Sequence, residues 1–466
     1  MKRQLALSLS LLAILGGGCS SKEAGPAPPT EVADDAHLDT LTDENPDPHV
    51  VEVRLNAKTA KKTFAGSPPT DVWTYNGSIP APLIDAHVGD KLVVHFKNDL
   101  PEPTTIHWHG VRLPAAMDGT PAMQAPIPPG ASFDYTFTFK DAGLFWFHPH
   151  VRSDVQVNKG LYGAIRVRGD SEPVADQEKV LVLDDIKLKA DGSIPDYLDD
   201  TSKMMGRGGN TILVDGVADA TLRFRPGATV RLRLVNAANG RFFNLALAGV
   251  KLHVIGTDGG LAKPYEVDRL LIAPGERYDV MLNVPGAAGT TLDLMTDPYD
   301  RGHDSGQDPP LKVARVLLDG APVAAPAPIP TTGATIARFP APTETFPIAL
   351  NEKSLPTGEV VFTINDKTAP DVPVLMVPRD GVRGFDIKNE SEMDHPFHLH
   401  GFFFQVVERN GVPVAEDALA NKDTVVVPMK SSLKLVTRFD EPGMWMYHCH
   451  ILEHAEAGMM GEVHVE

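Results

Sequence analysis

The chain has 466 residues, of which 42% are hydrophobic and 22% charged, a composition typical of a globular protein. Its formal net charge of -18 excludes nucleic acid and anionic membrane surfaces as partners, because binding either requires a basic patch. The acidic balance also favours cationic or neutral substrates, although it serves solubility equally well. At roughly 150 residues per domain, the length predicts about three domains.

The chain begins with a predicted export signal. Lys2 and Arg3 precede an apolar run over residues 5–15, which is too short to span a bilayer but fits a secretory signal. The run ends in three glycines and Cys19, which resembles the lipobox of bacterial lipoproteins, although Gly16 stands where that motif has leucine. We expect export to the periplasm or cell envelope, with membrane anchoring through a lipid on Cys19 or plain signal cleavage nearby.

The number of cysteines limits the roles that Cys449 can have. Apart from Cys19, Cys449 is the one other cysteine, so an exported form of this protein has no internal disulfide to make. Cys449 is therefore either an inert core residue or a reactive one.

The sequence beyond the leader predicts an all-β fold of sandwich domains. β-branched and aromatic residues alternate with polar ones, as in Lys91–Lys97, and 40 glycines and 41 prolines mark frequent turns. A turn followed by an alternating strand occurs three times, about 140 residues apart, and the three strands end at Asn98, Asn236 and Asn389. The predicted segments are a signal over 1–19, a flexible tether over 20–48 rich in Pro, Ala and acidic residues, and domains over 49–170, 171–325 and 326–466.

A second repeat occurs in the first and third domains only. Asp141–His150 matches Glu441–His450 in its glycine, aromatic and His-x-His positions, whereas Arg241–Gly249 of the second domain has no histidine. We expect the first and third domains to carry the chemistry and the second, which lacks these histidines, to act as a spacer.

Ten of the 17 histidines lie in four short segments, two near each end of the chain. One His-x-His pair is often only a polar strand face, but four clusters related by a repeat predict a metal site. Residues two apart on a strand share a face, so four pairs can bring eight imidazoles together between the first and third domains. The ten are His107, His109, His148, His150, His395, His398, His400, His448, His450 and His454.

A second metal environment is predicted on the opposite strand faces. His395 lies three residues before His398, and Cys449 lies between two histidines, so both point away from the eight imidazoles. With His454 and a nearby methionine they form the two-histidine, one-cysteine set of a blue-copper site. Structural zinc uses four ligands that are usually rich in cysteine, and non-haem iron prefers a carboxylate. Copper fits the ligand types and their number best.

These segments resemble the four ligand motifs of the three-domain multicopper oxidases, the family of laccases, bilirubin oxidases and bacterial cuprous oxidases. The motifs are His-Trp-His-Gly from 107, His-Pro-His from 148, His-Pro-Phe-His-Leu-His-Gly from 395, and His-Cys-His-Ile-Leu-Glu-His from 448 followed by Gly-Met-Met. The resemblance covers residues 50 to 466 in order and spacing. It implies three consecutive cupredoxin-like Greek-key β-sandwich domains, four copper ions, and oxidation of a substrate coupled to reduction of dioxygen to water.

The resemblance also implies a ligand for each position. Type 1 copper would be held by His395, Cys449 and His454 with Met459 axial, type 2 by His107 and His398, and the binuclear type 3 pair by His109, His148, His150, His400, His448 and His450. Cys449 would pass electrons to the trinuclear site through its neighbours in the chain. A methionine axial ligand implies a lower potential than an apolar residue there.

Proton supply is implied for one residue and left open for another. Asp118, in Met-Asp-Gly-Thr after the first histidine pair, matches the family's catalytic acid, although a turn aspartate before glycine explains the sequence equally well. Many relatives have a carboxylate directly after the position of His454, where this chain has Ala455. Glu456 follows, but it points elsewhere if the segment is extended.

The metal-ligand motifs do not identify the electron donor. Apart from Met204-Met205 and scattered methionines, the sequence lacks the methionine-rich insert of relatives that oxidise cuprous ion. The short segment from Asn351 to His395 leaves little room for a lid, so we expect an open type 1 edge and a broad laccase-like activity on phenols. Oxidation of cuprous or other metal ions is the alternative.

The ligand motifs disfavour two other classes of protein. A non-enzymatic cupredoxin-repeat binding protein is disfavoured because every ligand position is kept, and a copper nitrite reductase does not need the paired type 3 histidines. We expect a monomer. His87, His95 and His253 are interpreted as structural or surface residues.

Overall fold

The computed structural model describes residues 36–64, 66–196, 199–303 and 305–466. The export signal and Cys19 lie outside these ranges. The described chain forms three successive pairs of β-sheets, which we call the first, second and third sandwich. Within the described ranges, no helix has the length and apolar character needed to cross a membrane.

The first sandwich pairs two four-stranded sheets around one core. Its elements are β1 Val50–Lys62, β2 Thr70–Tyr75, β3 Ala81–His87, β4 Lys91–Asp99, β5 His107–His109, β6 Ser132–Thr138, β7 Gly143–His148, α1 Ser153–Asn158 and β8 Gly163–Arg168, with a 3₁₀ turn at Ala115–Met117. The sheet orders are β2-β1-β4-β6 and β3-β8-β7-β5. In β4, Leu92, Val94 and Phe96 alternate inward, as the sequence predicts.

The second sandwich pairs a seven-stranded with a five-stranded sheet. Its elements are β9 Gln177–Ile186, α2 Asp200–Met205, β10 Thr211–Val214, β11 Val217–Ala218, β12 Thr221–Phe224, β13 Thr229–Asn236, β14 Phe243–Leu247, β15 Leu252–Thr257, β16 Gly260–Val267, β17 Leu270–Ile272, β18 Arg277–Asn283, β19 Thr291–Thr296 and β20 Leu311–Leu318, with a 3₁₀ turn at Ser305–Gln307. The sheet orders are β11-β10-β9-β13-β18-β15-β16 and β12-β20-β19-β14-β17.

The third sandwich pairs a six-stranded with a five-stranded sheet. Its elements are β21 Glu344–Ser354, β22 Val360–Ile364, β23 Leu375–Val377, β24 Gly381–Asn389, β25 His395–Leu399, β26 Phe404–Arg409, β27 Val412–Pro413, β28 Thr424–Val427, β29 Ser432–Phe439, β30 Gly443–Cys449, α3 Leu452–Glu456 and β31 Met460–Val465, with a 3₁₀ turn at Glu416–Ala418. The sheet orders are β22-β21-β24-β29-β26-β27 and β23-β31-β30-β25-β28.

The repeated strand that ends in asparagine has the same local structure in all three sandwiches. Asn98, Asn236 and Asn389 each donate both amide hydrogens to two backbone carbonyls, and each side-chain oxygen accepts from the backbone N–H two residues later. The asparagine side chain thereby provides hydrogen-bond partners for buried backbone groups of the loop that leads towards the next strand.

Part of the predicted tether is packed on the protein. Leu41 donates its backbone N–H to the Leu83 carbonyl at 2.8 Å, Leu83 donates to Asp39 at 2.7 Å, and Ala36 is 1% exposed. Leu38 and Leu41 pack against buried clusters. The composition of residues 20–48 is polar on average, and that average hid the few apolar side chains that fix residues 36–48.

Candidate metal centre

Two pairs of adjacent strands carry the predicted histidines. His107 on β5 lies opposite His148 on β7, and His398 on β25 lies opposite His448 on β30. Rings of the first sandwich stack on rings of the third, with centroids 3.8 Å apart for His107 on His400 and 3.8 Å for His109 on His398. His150 and His450 complete the group. The structure thus brings the eight imidazoles together between the first and third sandwiches.

Many of these rings bury a nitrogen that has no hydrogen-bond partner among the described residues. These nitrogens are His107 Nε2, His109 Nδ1, His148 Nε2, His150 Nε2, His398 Nε2 and both nitrogens of His450. Leaving one buried polar group unpaired costs about 1–3 kcal/mol, so the cluster is costly unless something binds these atoms. Burial lowers the pKa of five of these imidazoles and so favours the neutral form that binds metals; the five are His109, His148, His150, His398 and His450.

The second nitrogen of several rings donates to the protein. In each of these hydrogen bonds an imidazole Nδ1 donates to a backbone carbonyl. The pairs are His107 with Asp118 at 3.0 Å, His148 with Pro149 at 3.0 Å, His398 with Asp423 at 2.9 Å, and His448 with Cys449 at 2.8 Å. A carbonyl only accepts, so each of these Nδ1 atoms carries the hydrogen and each Nε2 keeps its lone pair. These bonds fix the tautomer and direct the lone pairs into the shared space.

Asp118 connects the two sandwiches at this cluster. The carboxylate is fully buried, accepts from His400 Nδ1 at 2.9 Å, and lies 3.2 Å from His107 Nδ1. The next residue, Gly119, has φ +78°, and a Cβ there would lie 1.9 Å from the Ile106 carbonyl oxygen. Asp118 therefore belongs to a tight turn and also contacts the histidines, so both interpretations of its sequence hold.

Cys449 forms a separate group on the other side of β30. Its buried Sγ lies 3.5 Å from His395 Nδ1 and 3.6 Å from His454 Nδ1. The outer nitrogens are held by Ser391 Oγ for His395 and the Met204 carbonyl for His454, both at 2.9 Å. Burial raises the pKa of the Cys449 thiol and lowers that of His395 to about 3.

Met459 lies in the same buried cluster as the thiol. Its side chain is fully buried, and its carbonyl accepts from the Cys449 N–H at 3.1 Å. The structure therefore groups His395, Cys449 and His454 and joins Met459 to Cys449 through the backbone.

The expected open edge of this site is wrong. His395 and His454 are both 0% exposed, and the cover is α2, whose Met204 carbonyl accepts from His454 Nε2. A Cβ at Gly206 would lie 2.5 Å from the Ile451 side chain, so the end of α2 is pressed against the residue after the histidine pair. The expectation considered only the segment from 351 to 395, whereas the cover comes from the second sandwich.

Glu456 is also placed differently from the extended-chain expectation. Residues 452–456 form α3, and the Glu456 carboxylate accepts from Ser153 N at 2.7 Å and Ser153 Oγ at 2.9 Å. Glu456 and His150 line the same cavity of about 430 Å³. The carboxylate therefore faces the first sandwich near one of the eight imidazoles.

Sequence analysis missed Asp423 and Thr424. Asp423 Oδ1 accepts from His109 Nε2 at 3.0 Å, and Thr424 Oγ1 lies 3.0 Å from the same nitrogen and 3.1 Å from His398 Nδ1. Burial alone would raise the pKa of Asp423, but the Arg277 guanidinium holds it well below its ordinary value. In the sequence, Lys-Asp-Thr has no pattern that distinguishes this aspartate from others.

Of the histidines set aside, His95 lies between Glu52 and Asp134 at 2.8 and 2.9 Å on the surface of the first sandwich. His87 is exposed. His253 lies 3.7 Å from Glu266. They have the surface positions that the sequence analysis gave them.

Comparison with known proteins identifies the family. Three sequence profiles, each described as multicopper oxidase, match residues 56–172, 180–291 and 341–466. The multicopper oxidase MmcO of Mycobacterium tuberculosis is 33% identical over 433 residues, which cover 84% of this chain and 83% of that protein.

Two solved structures share the whole architecture. A multicopper oxidase from Campylobacter jejuni, described as a metallo-oxidase, is 31% identical with a TM-score of 0.83, over 92% of this chain and 94% of that one. A laccase-like multicopper oxidase from Ochrobactrum sp., described with oxidase activity towards lignin model compounds, is 27% identical with a TM-score of 0.81, over 92% and 100%.

The chain belongs to the multicopper oxidase family. It has three cupredoxin-like domains and is a copper-dependent oxidoreductase that uses dioxygen as electron acceptor. The family binds four copper ions, one of type 1, one of type 2 and a binuclear type 3 pair. The unpartnered imidazole nitrogens and the thiol between two imidazoles are the donor set that copper requires.

Proposed function

We propose that this enzyme oxidises small organic donors such as phenols at the Cys449 site and reduces dioxygen at the eight-histidine site. One observation carries the proposal. The Cys449 thiol lies between His395 and His454, while its chain neighbours His448 and His450 point to the other group. A single residue therefore joins an electron-accepting site to an oxygen-reducing one.

The proposed copper ligands combine this division with the positions that match the family's ligand motifs. Type 1 copper would be held by His395, Cys449, His454 and Met459, type 2 by His107 and His398, and the type 3 pair by His109, His148, His150, His400, His448 and His450. The unpartnered nitrogens and fixed tautomers of the second group support this assignment.

Copper held by these residues would supply one-electron oxidation of the donor and four-electron reduction of dioxygen. The protein itself holds the copper ligands in position and shields them from solvent. Burial of all ten histidines within 8% exposure excludes bulk water, and the fixed tautomers keep the lone pairs aligned. Reduction of one dioxygen to two waters consumes four protons, and Asp118 holds its carboxylate against His400 and His107, where a proton can be kept.

Oxidation of cuprous ion is the second candidate, and one observation favours it. Met204 and Met205 lie on α2, which covers His454, and thioethers are soft ligands that select cuprous ion. The relative from Campylobacter jejuni is described as a metallo-oxidase, whereas the one from Ochrobactrum sp. acts on lignin model compounds.

We further propose an exported, monomeric enzyme anchored to a membrane through Cys19. The charged start of the chain, the apolar run over 5–15 and the glycines before Cys19 support this location.

The deciding experiment measures copper content, the visible spectrum, and oxygen uptake with a phenol and, separately, with cuprous ion. We expect about four coppers per chain, a blue thiolate band, and faster uptake with the phenol. Cys449→Ser serves as the control, because it removes the thiolate and should abolish the band and the uptake. One copper or none, without uptake, would contradict the proposal.

A further inference from the structure

The second sandwich reaches the eight-histidine site through Arg277. This residue begins β18, and its guanidinium is fully buried. Its five N–H groups find five acceptors: Leu144 O at 3.0 Å, Gly275 O at 3.2 Å, Asp258 O at 3.2 Å, and Asp423 Oδ1 and Oδ2 at 2.6 Å each. Because an arginine side chain has five such donors, every one is used. The acceptors belong to all three sandwiches.

Asp423 contacts two of the histidines as well as Arg277. Its Oδ1 accepts from His109 Nε2 at 3.0 Å, and its backbone carbonyl accepts from His398 Nδ1 at 2.9 Å. The nitrogens left over, His109 Nδ1 and His398 Nε2, are buried without a partner among the described residues. Asp423 therefore occupies one nitrogen of each ring, together with the Thr424 hydroxyl, and leaves the other nitrogen free to bind a metal.

A second residue of the same sandwich fixes the backbone around Asp423. Asp258 accepts from the Arg277 N–H at 2.8 Å and from the Thr424 N–H at 3.2 Å, and it lies 3.2 Å from the Lys422 ammonium. The segment from Lys422 to Thr424 is therefore held at its side chains and its backbone.

The chain after His109 is shaped to admit the guanidinium. A Cβ at Gly110 would lie 2.3 Å from Arg277 Nη2 and 2.6 Å from Asp423 Oδ2. Only a residue without a side chain leaves space for this ion pair directly beside the ligand histidine.

We propose that Arg277 is a positioning residue for the trinuclear copper ligands. It orients Asp423, which keeps hydrogens on His109 Nε2 and His398 Nδ1 and so presents His109 Nδ1 and His398 Nε2 to copper. This inference rests on the ligand assignment of the proposed function. It makes the second domain part of the oxygen-reducing site, where the sequence analysis expected a spacer.

The test compares Arg277→Gln with Arg231→Gln. Arg231 is a matched control, because it is 1% exposed, lies in the same sandwich, and is ion-paired with Asp279 and Glu172, away from the histidines. The measurements are copper retained during titration with a chelator, the blue band of type 1 copper, and the paramagnetic resonance signal of type 2 copper.

Removing an outer partner of a metal ligand typically weakens metal affinity 10–100-fold. For Arg277→Gln we expect that loss for type 2 and type 3 copper, with type 1 affinity unchanged within about twofold. Arg231→Gln should retain copper of all three types. Parent-like retention by Arg277→Gln, or equal loss of type 1 and trinuclear copper, would overturn the inference.

A second variant covers the case in which Arg277→Gln does not fold. Arg277→Lys keeps the buried positive charge but has no planar fork for Asp423, so we expect the same selective loss at smaller size. Full trinuclear loading of this variant would overturn the inference. Failure of the parent itself to bind four coppers would instead contradict the proposed function.

Discussion

Asp118 accepts from His400 of the third sandwich and lies beside His107 of the first, so one carboxylate contacts proposed ligands of two different coppers. Asp118 also precedes Gly119, whose positive φ forms a tight turn. The residue therefore has a structural role in the turn and a proposed role as proton donor. Substitution separates these two roles, because an amide can accept from His400 but cannot carry a proton to reduced oxygen.

We predict that Asp118→Asn lowers the rate of oxygen uptake about 100-fold, within the range typical of general acid catalysis, while four coppers stay bound. Copper analysis and oxygen uptake check this. Asp90→Asn is the control, since Asp90 is also a buried turn aspartate, accepting from the His87 N–H. Unchanged uptake in the Asp118 variant would show that the residue only builds the turn.

Asp215 occupies a position that asparagine holds in the other two repeats. Asn76, Asp215 and Asn365 all have φ between 51 and 56°, and each accepts from a strand N–H at 2.7 to 2.8 Å. The two asparagines also donate to a carbonyl, which an ionised aspartate cannot do. Burial raises the pKa of Asp215 to about 7.

We predict that Asp215→Asn stabilises the protein at pH 8 but not at pH 4. The folded pKa lies above the ordinary 3.8, so the fold disfavours the ionised form, and stability falls as pH rises from about 4 to about 7. At about 1.4 kcal/mol per pKa unit, the loss is on the order of 4 kcal/mol at most. Denaturant midpoints at both pH values measure it.

Asp219→Asn is the matched control for this change, because Asp219 also has positive φ in the next turn but is exposed. The Asp219→Asn variant should change the stability of the protein only slightly, and by the same amount at pH 4 and pH 8. An equal gain from Asp215→Asn at pH 4 and pH 8 would show that ionisation is not the cause.

At the scale of elements, α2 lies against His454 of the proposed type 1 site through the Met204 carbonyl. Replacing Met204 and Met205 by alanine keeps the backbone carbonyl that binds His454 but removes both sulfurs. We predict a several-fold higher KM for cuprous ion and an equal or lower KM for a bulky phenol, measured by oxygen uptake. Met376→Ala is the control, since Met376 is 49% exposed on β23. Unchanged cuprous kinetics would show that the sulfurs do not bind the donor.

The period of β-strands explains what the sequence could predict about the site. Spacing of two placed the four His-x-His pairs on common faces, and the odd spacing of His395 placed it with Cys449; the structure has both arrangements. The cover by α2 and the Arg277 contact could not be predicted, because they depend on how separate domains dock. Glu456 was misplaced for a local reason, since five residues of helix follow a strand without a distinct start signal.

At the scale of the whole molecule, the proposed export signal over residues 1–19 would determine where the enzyme works. We predict that Cys19→Ala moves the protein from the membrane fraction to the soluble exported fraction, without loss of oxidase activity. Fractionation followed by mass analysis of the mature N-terminus checks this. A parent protein that is already soluble and lacks the lipid mass would favour plain signal cleavage.

Copper should also hold the molecule together, because the proposed trinuclear ligands come equally from the first and third sandwiches. A ligand that binds only the folded state stabilises it by about 2.7 kcal/mol at 100 times its dissociation constant, and three ions act at this one interface. We therefore predict that removing all copper lowers the melting temperature by about 10 °C or more, since 1 kcal/mol shifts the melting temperature of a domain of roughly 150–250 residues by about 2–4 °C.

Calorimetry of Cys449→Ser distinguishes the interface from the type 1 site. All proposed type 1 ligands lie in the third sandwich, so losing that copper leaves the link between the first and third sandwiches intact. The variant should keep most of the copper-dependent stabilisation. If it instead melted like the copper-free parent, the stabilising contribution would belong to the Cys449 site, and the trinuclear cluster would not be what couples the two sandwiches.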